Sequence, residues 1–389
     1  MNPVKQRNTA ILMYLLISLG GIVVDIIVPS LPSIQRALLS NETATQWAFT
    51  MAMLGFGFGQ IAAGFVVDAF GRKLPMLLGA LCLTFSLLLS AVVPDIEALI
   101  ALRLVQGLAV SLVAVGGRAV IKDLYHGEEY LKAVNWITIS FALGITLSPF
   151  VGGYIEENFG WQMVFTGLTA WVSLGAVLLA FFFTETHTNH QPLNKETIKG
   201  NLSEIVLNRG FQRTAITCGV FYAILPAFNT VSPFIIQETL GYGPVFYGHI
   251  ALVLGGAWLA GNMANRATFS IPAKPKTTLC LLVSLFALAL GIGYQTIQGL
   301  SLYAFIAPVA VIIFSLGMLF PLYLGKALAP FHHIAGIANA IVFSGCWLCT
   351  ALISFLASSL PLNSALPLMI LYSALLLLVV LLTRKMNDL

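Results

Sequence analysis

The chain has 389 residues, 58% hydrophobic and 9% charged, with a formal net charge of +4. A soluble domain carries about 25% charged residues, so this chain has too little polar surface to cover a soluble fold. Its basic residues lie in short segments between apolar runs, which excludes a basic face for nucleic acid, and its five scattered cysteines exclude a disulfide framework.

Lys5 and Arg7 precede an apolar run over residues 10–31. A hydrocarbon core of about 30 Å needs about 20 apolar residues, and no small-residue cleavage site closes the run. It reads as a membrane span, not a removed signal. Eleven further spans follow, at 45–67, 74–93, 98–121, 132–153, 161–183, 214–236, 246–267, 277–297, 300–323, 335–358 and 364–383. The expected fold is an all-α membrane protein with twelve transmembrane helices in two pseudo-symmetric six-helix bundles. Residues 1–184 form the first bundle, 185–212 a cytoplasmic linker and 213–389 the second bundle. With the N- and C-termini cytoplasmic, sixteen of the nineteen Lys and Arg fall on the cytoplasmic side, Lys195, Lys199 and Lys385 among them. Leu202, Ile205, Val206 and Phe211 in the linker predict a short amphipathic helix on the membrane surface.

The ionisable residues inside the spans carry the functional argument, because charge is expensive there. Asp25 lies 15 residues into span one, about 23 Å at 1.5 Å per residue. Arg103 lies near the outer end of span four, at similar depth. Asp25 reads as the only carboxylate deep within a span, so it is the first candidate for a proton-binding site. A structural Asp25–Arg103 pair and a solvated aspartate are the other readings. Gly55 and Gly59 allow close helix contact in span two. Between spans two and three stands Gly64-Phe-Val-Val-Asp68-Ala-Phe-Gly71-Arg72-Lys73. Asp68 at a helix C-terminus needs a cationic partner, and Gly71 allows the tight turn. Arg118, at the cytoplasmic end of span four, is expected to pair with Asp68, with Arg72 or Lys73 near Asp123, forming a conformational lock. The alternative is that Arg118 lines a cavity and binds an anionic substrate. In span five, Gly144, Pro149, Gly152 and Gly153 predict a close-packed, bendable helix at the interface between the halves.

The second half repeats the first weakly. Asn229 and Pro233 answer Asp25 and Pro29, and Asn265 answers Asp68, at offsets of 204 and 197. Span seven, with Tyr222, Phe228 and Asn229, is the best candidate for substrate contacts, joined by Trp258, Tyr323, Phe343 and Trp347. Asp25, Arg103 and Arg118 complete the expected binding set. His249 belongs near the outer end of span eight, and Cys346-Trp-Leu-Cys349 reads as packing rather than redox or metal chemistry.

Several of these motifs resemble a known family. The loop from Gly64 to Lys73 is similar to the cytoplasmic signature of the major facilitator superfamily, although Ala69 stands where the signature has arginine. Repeated six-helix halves are that family's architecture. Arg103 to Gly107, Gly117 to Tyr125, and Asp25-Ile-Ile-Val-Pro29-Ser-Leu-Pro32 resemble the Bcr/CflA drug–proton antiporters. Residues 144–153 resemble an antiporter signature, with Ser148 in place of a glycine. The resemblance implies a proton-coupled secondary transporter of the bacterial inner membrane, exporting small amphipathic drugs or metabolites by alternating access, with a cavity near the midplane between the halves. It implies a monomer that uses no cofactor beyond the proton as coupling ion, no metal and no nucleic acid. A carboxylate siderophore or another specific metabolite is the second substrate reading, and a non-transporting receptor is the reading from another class. An enzyme is disfavoured because no nucleophile–base pair and no metal-ligand cluster falls in the spans.

Overall fold

The computed structural model describes residues 3–187 and 202–384. Residues 188–201 of the expected linker, with Lys195 and Lys199, lie outside the described residues, as does Lys385. The described residues are helical without a strand. In chain order the helices are α1 Pro3–Asp25, α2 Leu31–Ala37, α3 Glu42–Phe70, α4 Lys73–Ser90, α5 Ile96–Leu124, α6 Gly127–Phe159 and α7 Trp161–Phe182. After the gap come α8 over 202–207, then α9 Arg209–Phe234, α10 Pro244–Ala267, α11 Ala273–Gln298, α12 Leu302–Leu328, α13 Ala335–Ala357 and α14 Leu366–Arg384. Twelve helices among the described residues are long and apolar enough to cross a membrane, with the first counted over Val4–Ala37. Exposed rings such as Phe85 and Phe286 fit helices whose solvent is lipid.

Local chemistry sets the helix ends. Asn41, Asp95 and Asn208 each accept a bond at 2.8 Å from the backbone N–H three residues on, capping α3, α5 and α9. The first expected span is not one helix. Pro29 has no N–H to offer the Asp25 carbonyl, so α1 ends at Asp25 and a 3-10 turn, Val28–Ser30, leads into α2. In contrast, α6 runs through Pro149 and continues to Phe159, six residues past its expected end, until Gly160 at φ +82° stops it.

The chain divides into two compact units, Met1–Lys195 and Glu196–Leu389. In unit 1, α3 and α5 approach backbone to backbone. A Cβ on Gly55 would lie 2.3 Å from the Leu104 carbonyl, and one on Gly107 would lie 2.2 Å from that of Ala52. A Cβ on Gly59 would meet the Ser111 hydroxyl at 2.3 Å. Unit 2 repeats the crossing with α10 and α12, where Gly261 meets the Phe314 carbonyl and Gly317 that of Trp258. Small residues at both crossings let the backbones touch. In α8, Ile205 is buried and Leu202 and Val206 are exposed.

Candidate functional site

The end of α1 builds the first part of the site. Without a following helical turn, its last carbonyls have no intrahelical donor. Arg103 of α5 supplies one. Its guanidinium donates to the Val23 carbonyl at 2.8 Å, to the Val24 carbonyl at 3.0 Å and to the Ala48 carbonyl of α3 at 3.3 Å. It also donates to Gln106 Oε1 at 2.8 Å, and Gln106 in turn donates to Ser90 Oγ at 2.8 Å. Arg103 has no exposed surface. A cation at a helix C-terminus is stabilised by the helix dipole, so Arg103 is the cap of α1, delivered from another helix. Asp25, the last residue of α1, is 4% exposed and lies within electrostatic reach of Arg103. The structure therefore brings the two expected residues together around a broken helix.

A second cluster sits at the other end of unit 1, where Gln6 of α1 donates to the Leu124 carbonyl of α5 at 2.7 Å. Arg72 is its centre. It is buried, pairs with Asp68, meets Asp123 at 3.0 Å and caps α3 through the Val67 carbonyl at 3.0 Å. Lys73 donates to the Ala180 carbonyl of α7 at 2.9 Å. Burial disfavours the charged guanidinium, but Asp123 and Asp68 prevail and hold the Arg72 pKa above its ordinary value. The expected Asp68–Arg118 pair is a correction. Asp68 is joined to Arg72, whereas Arg118 donates to Gln60 Oε1 at 2.6 Å and to the Ala114 carbonyl at 3.2 Å. Arg118 sits a turn and a half before Asp123 on α5, a distance that helix geometry, not residue type, decides. Gly64 does not shape the cluster, because a Cβ there would meet nothing within 4 Å.

Glu185 belongs to this cluster and was not among the sequence candidates. It accepts from the backbone N–H of Arg72 at 3.0 Å, Lys73 at 2.8 Å, Thr186 at 2.9 Å and His187 at 2.9 Å. Burial would raise its pKa, but the four backbone donors outweigh burial and hold its carboxyl below the usual carboxylate range. The anion sits at the first turn of α4, where unpaired N–H groups point outward. Thr186 closes the ring by donating to Asp123 at 3.0 Å. Gly71 is required twice over. Its φ is +84°, and a Cβ would fall 2.8 Å from Glu185 Oε2. The available signal was an acid directly after span six, next to a helix start that needs an anion.

Within unit 1 the Gly/Pro stretch of α6 packs closely against α1. A Cβ on Gly144 would meet the Ser18 carbonyl at 2.7 Å, and one on Gly152 the Ile26 carbonyl at 2.0 Å. Pro149 and Gly153 are buried along the same helix. A further correction concerns carboxylates. Because α6 extends to Phe159, Glu156 lies within the helix and is 8% exposed, so Asp25 is not alone.

In unit 2 the expected aromatic residues separate into two groups. Tyr222, Trp258, Phe343 and Trp347 come together around Phe320, which the sequence reading missed. Tyr222 is 5.4 Å from Trp347, 5.8 Å from Phe320 and 6.5 Å from Trp258, ring centre to ring centre. Phe343 lies 6.5 Å from Phe320. Tyr323 packs elsewhere, against Phe221 and Thr277. Phe228, an expected substrate contact, is fully buried against Phe305 and is a packing residue. Asn229 is buried and accepts from the Tyr247 hydroxyl at 3.1 Å. Asn265 accepts from Lys276 at 3.1 Å, and Lys276 also caps the Thr268 carbonyl at 2.9 Å. This is the counterpart of the Asp68–Arg72 pair with a neutral amide in place of the carboxylate. His249 is exposed and bonded to the Val245 carbonyl. The five cysteines are free thiols.

The Major Facilitator Superfamily family model matches residues 13–354. The chain is 25% identical over 345 residues to multidrug resistance protein D of Escherichia coli, covering 87% of this chain and 86% of that protein. It is 24% identical over 356 residues to a bicyclomycin resistance protein homolog of Haemophilus influenzae, covering 89% and 87%. Among solved structures, a D-xylose–proton symporter superposes with a TM-score of 0.74 at 18% identity, over 98% of this chain and 97% of that one.

Proposed function

The chain belongs to the Major Facilitator Superfamily, is a multi-pass membrane transporter rather than an enzyme, and on that premise we propose that it is a proton-coupled exporter of small amphipathic molecules. It works by alternating access as a monomer in a bacterial inner membrane, with both termini in the cytoplasm and the proton as its coupling ion. The observation that carries this reading is Asp25, a buried carboxyl at a broken helix end within reach of a guanidinium that gives four of its five N–H donors to other acceptors. Desolvation favours protonated Asp25 and Arg103 favours the carboxylate. A small change in their separation thus decides whether the proton is held or released. Arg103 is tied to the carbonyls of Val23 and Val24, so gain or loss of the Asp25 charge acts directly on the end of α1.

Two other features support the reading. The ring cluster around Phe320 suits the flat, apolar part of an amphipathic substrate. The Arg72 and Glu185 cluster suits a lock that holds α3, α4, α5 and α7 together in one state and opens in the other. The relatives' names, multidrug and bicyclomycin resistance, point to drug efflux. One observation favours a second reading. Arg118 reaches Gln60 rather than Asp68, and with Gln60 it would suit an anionic metabolite such as a carboxylate siderophore.

Purified protein in proteoliposomes with an imposed pH gradient tests the proposal. Drug flux should follow the gradient, and Asp25→Asn should abolish that coupling. Full gradient-driven flux in Asp25→Asn would refute it. In cells lacking other pumps, growth on an iron chelate without any drug resistance would favour the siderophore.

A further inference from the structure

Glu156 is the buried carboxyl that the mechanism above leaves idle. Its place is set by the contact between α6 and α1. Gly152 touches the Ile26 carbonyl, the residue after Asp25. One turn further along α6, about 6 Å, stands Glu156, and four residues beyond Ile26, in the turn after α1, stands Ser30. Ser30 and Ser33 face the Glu156 carboxyl, and Arg36 of α2 is the charged group that acts on it. The other neighbours add little charge. Helix α7 has no ionisable side chain, and Asp25 is the one ionisable residue in the last ten of α1. Arg103 of α5 is committed to the end of α1. On α6 itself Tyr154 and Glu157 are exposed.

Two buried oxygens here hydrogen-bond to nothing among the described residues: Glu156 Oε2 and the Ser30 hydroxyl. A protonated carboxyl gains a donor that an ionised one lacks. The carboxyl can thus hold a proton beside a hydroxyl that both gives and accepts.

We propose that Glu156 is a second proton-binding site, exchanging with the medium at the end of unit 1 away from the α1 N-terminus and passing its proton through Ser30 to Asp25. The step breaks the O–H bond on Glu156 and forms one on Asp25, while the Ser30 hydroxyl gives one proton and takes another. No electrons move and no co-reactant is consumed. The relay rests on the reading of Asp25 as the coupling site.

The test is infrared difference spectroscopy of the full-length protein in lipid nanodiscs after an acid jump, following the C=O stretch of buried protonated carboxyls. Wild type should show two such bands. Glu156→Gln should remove one, Asp25→Asn the other, and Glu156→Asp should restore the first at a shifted frequency. Ser30→Ala and Glu156→Gln should each slow the Asp25 band by about a hundredfold, the scale of a positioned proton donor. The site is overturned if Glu156→Gln removes no band. The relay is overturned if both variants leave the Asp25 rate within about twofold of wild type, a change too small for a positioned donor. If Asp25→Asn alone leaves the spectrum unchanged, the Asp25 reading fails and the Glu156 band still establishes Glu156 as a proton site. Should Glu156→Gln not fold, the Glu156→Asp band shift gives the same answer.

Discussion

Replacing Arg103 with Met should be the most destabilising single change in unit 1. The substitution keeps an unbranched side chain of similar length but removes every donor. The carbonyls of Val23, Val24 and Ala48, and Gln106 Oε1, then lose their partner. A buried acceptor left alone costs about 1–3 kcal/mol, so four would sum to about 4–12 kcal/mol. That sum overshoots, because the Gln106 amide keeps its bonds to Ser86 and Ser90 and an apolar replacement no longer buries a guanidinium. Breaking a buried charged network by removing one partner typically costs about 3–5 kcal/mol, and that is the expected loss. Arg103→Lys keeps the charge but offers three donors without the planar fork, so it should lose roughly half as much. Reversible denaturation in mixed detergent micelles, followed by tryptophan fluorescence, measures both. A loss below about 1 kcal/mol for Arg103→Met would refute the claim that Arg103 caps α1.

Other substitutions test separate parts of the structure. Gly152→Ala should cost about 1–3 kcal/mol, since its Cβ would fall 2.0 Å from a backbone carbonyl that cannot rotate away, whereas Gly64→Ala should be neutral or stabilising by up to about 1 kcal/mol, both read in the same assay. Glu185→Gln should lower stability at neutral pH by about 1–2 kcal/mol, a figure reduced for partial exposure. The Glu185 pKa is depressed in the fold, so its contribution is full above the ordinary carboxylate range and disappears as pH falls through the folded value. The gap between wild type and variant should therefore close in acid, and a gap independent of pH would contradict it. Trp258→Ala should raise KM for an aromatic substrate about 2- to 12-fold, as expected for about 0.5–1.5 kcal/mol of ring contact. An unchanged KM for every transported drug would remove the Phe320 cluster from the binding site.

The residues alone carried what depends on composition and spacing. Twelve apolar runs, their loops and the charge between them specify a helical membrane chain, because in lipid the backbone must satisfy itself within helices. The rarity of intramembrane charge singled out Asp25 and Arg103, and Gly55 marked a close crossing. Tertiary structure decided the pairings. Pro29 marks where α1 stops, but no spacing rule announces that its end is capped from α5, or that Arg72 rather than Arg118 takes Asp68. Both depend on which unpaired backbone groups lie within reach of which cation. The partners of Glu185 were hidden for the same reason: they are backbone N–H groups, which every residue but proline carries. Glu156 became a buried carboxyl only because α6 runs on to Gly160 along α1. The sequence thus determines which groups are costly to bury, and the packing determines what each of them is buried against.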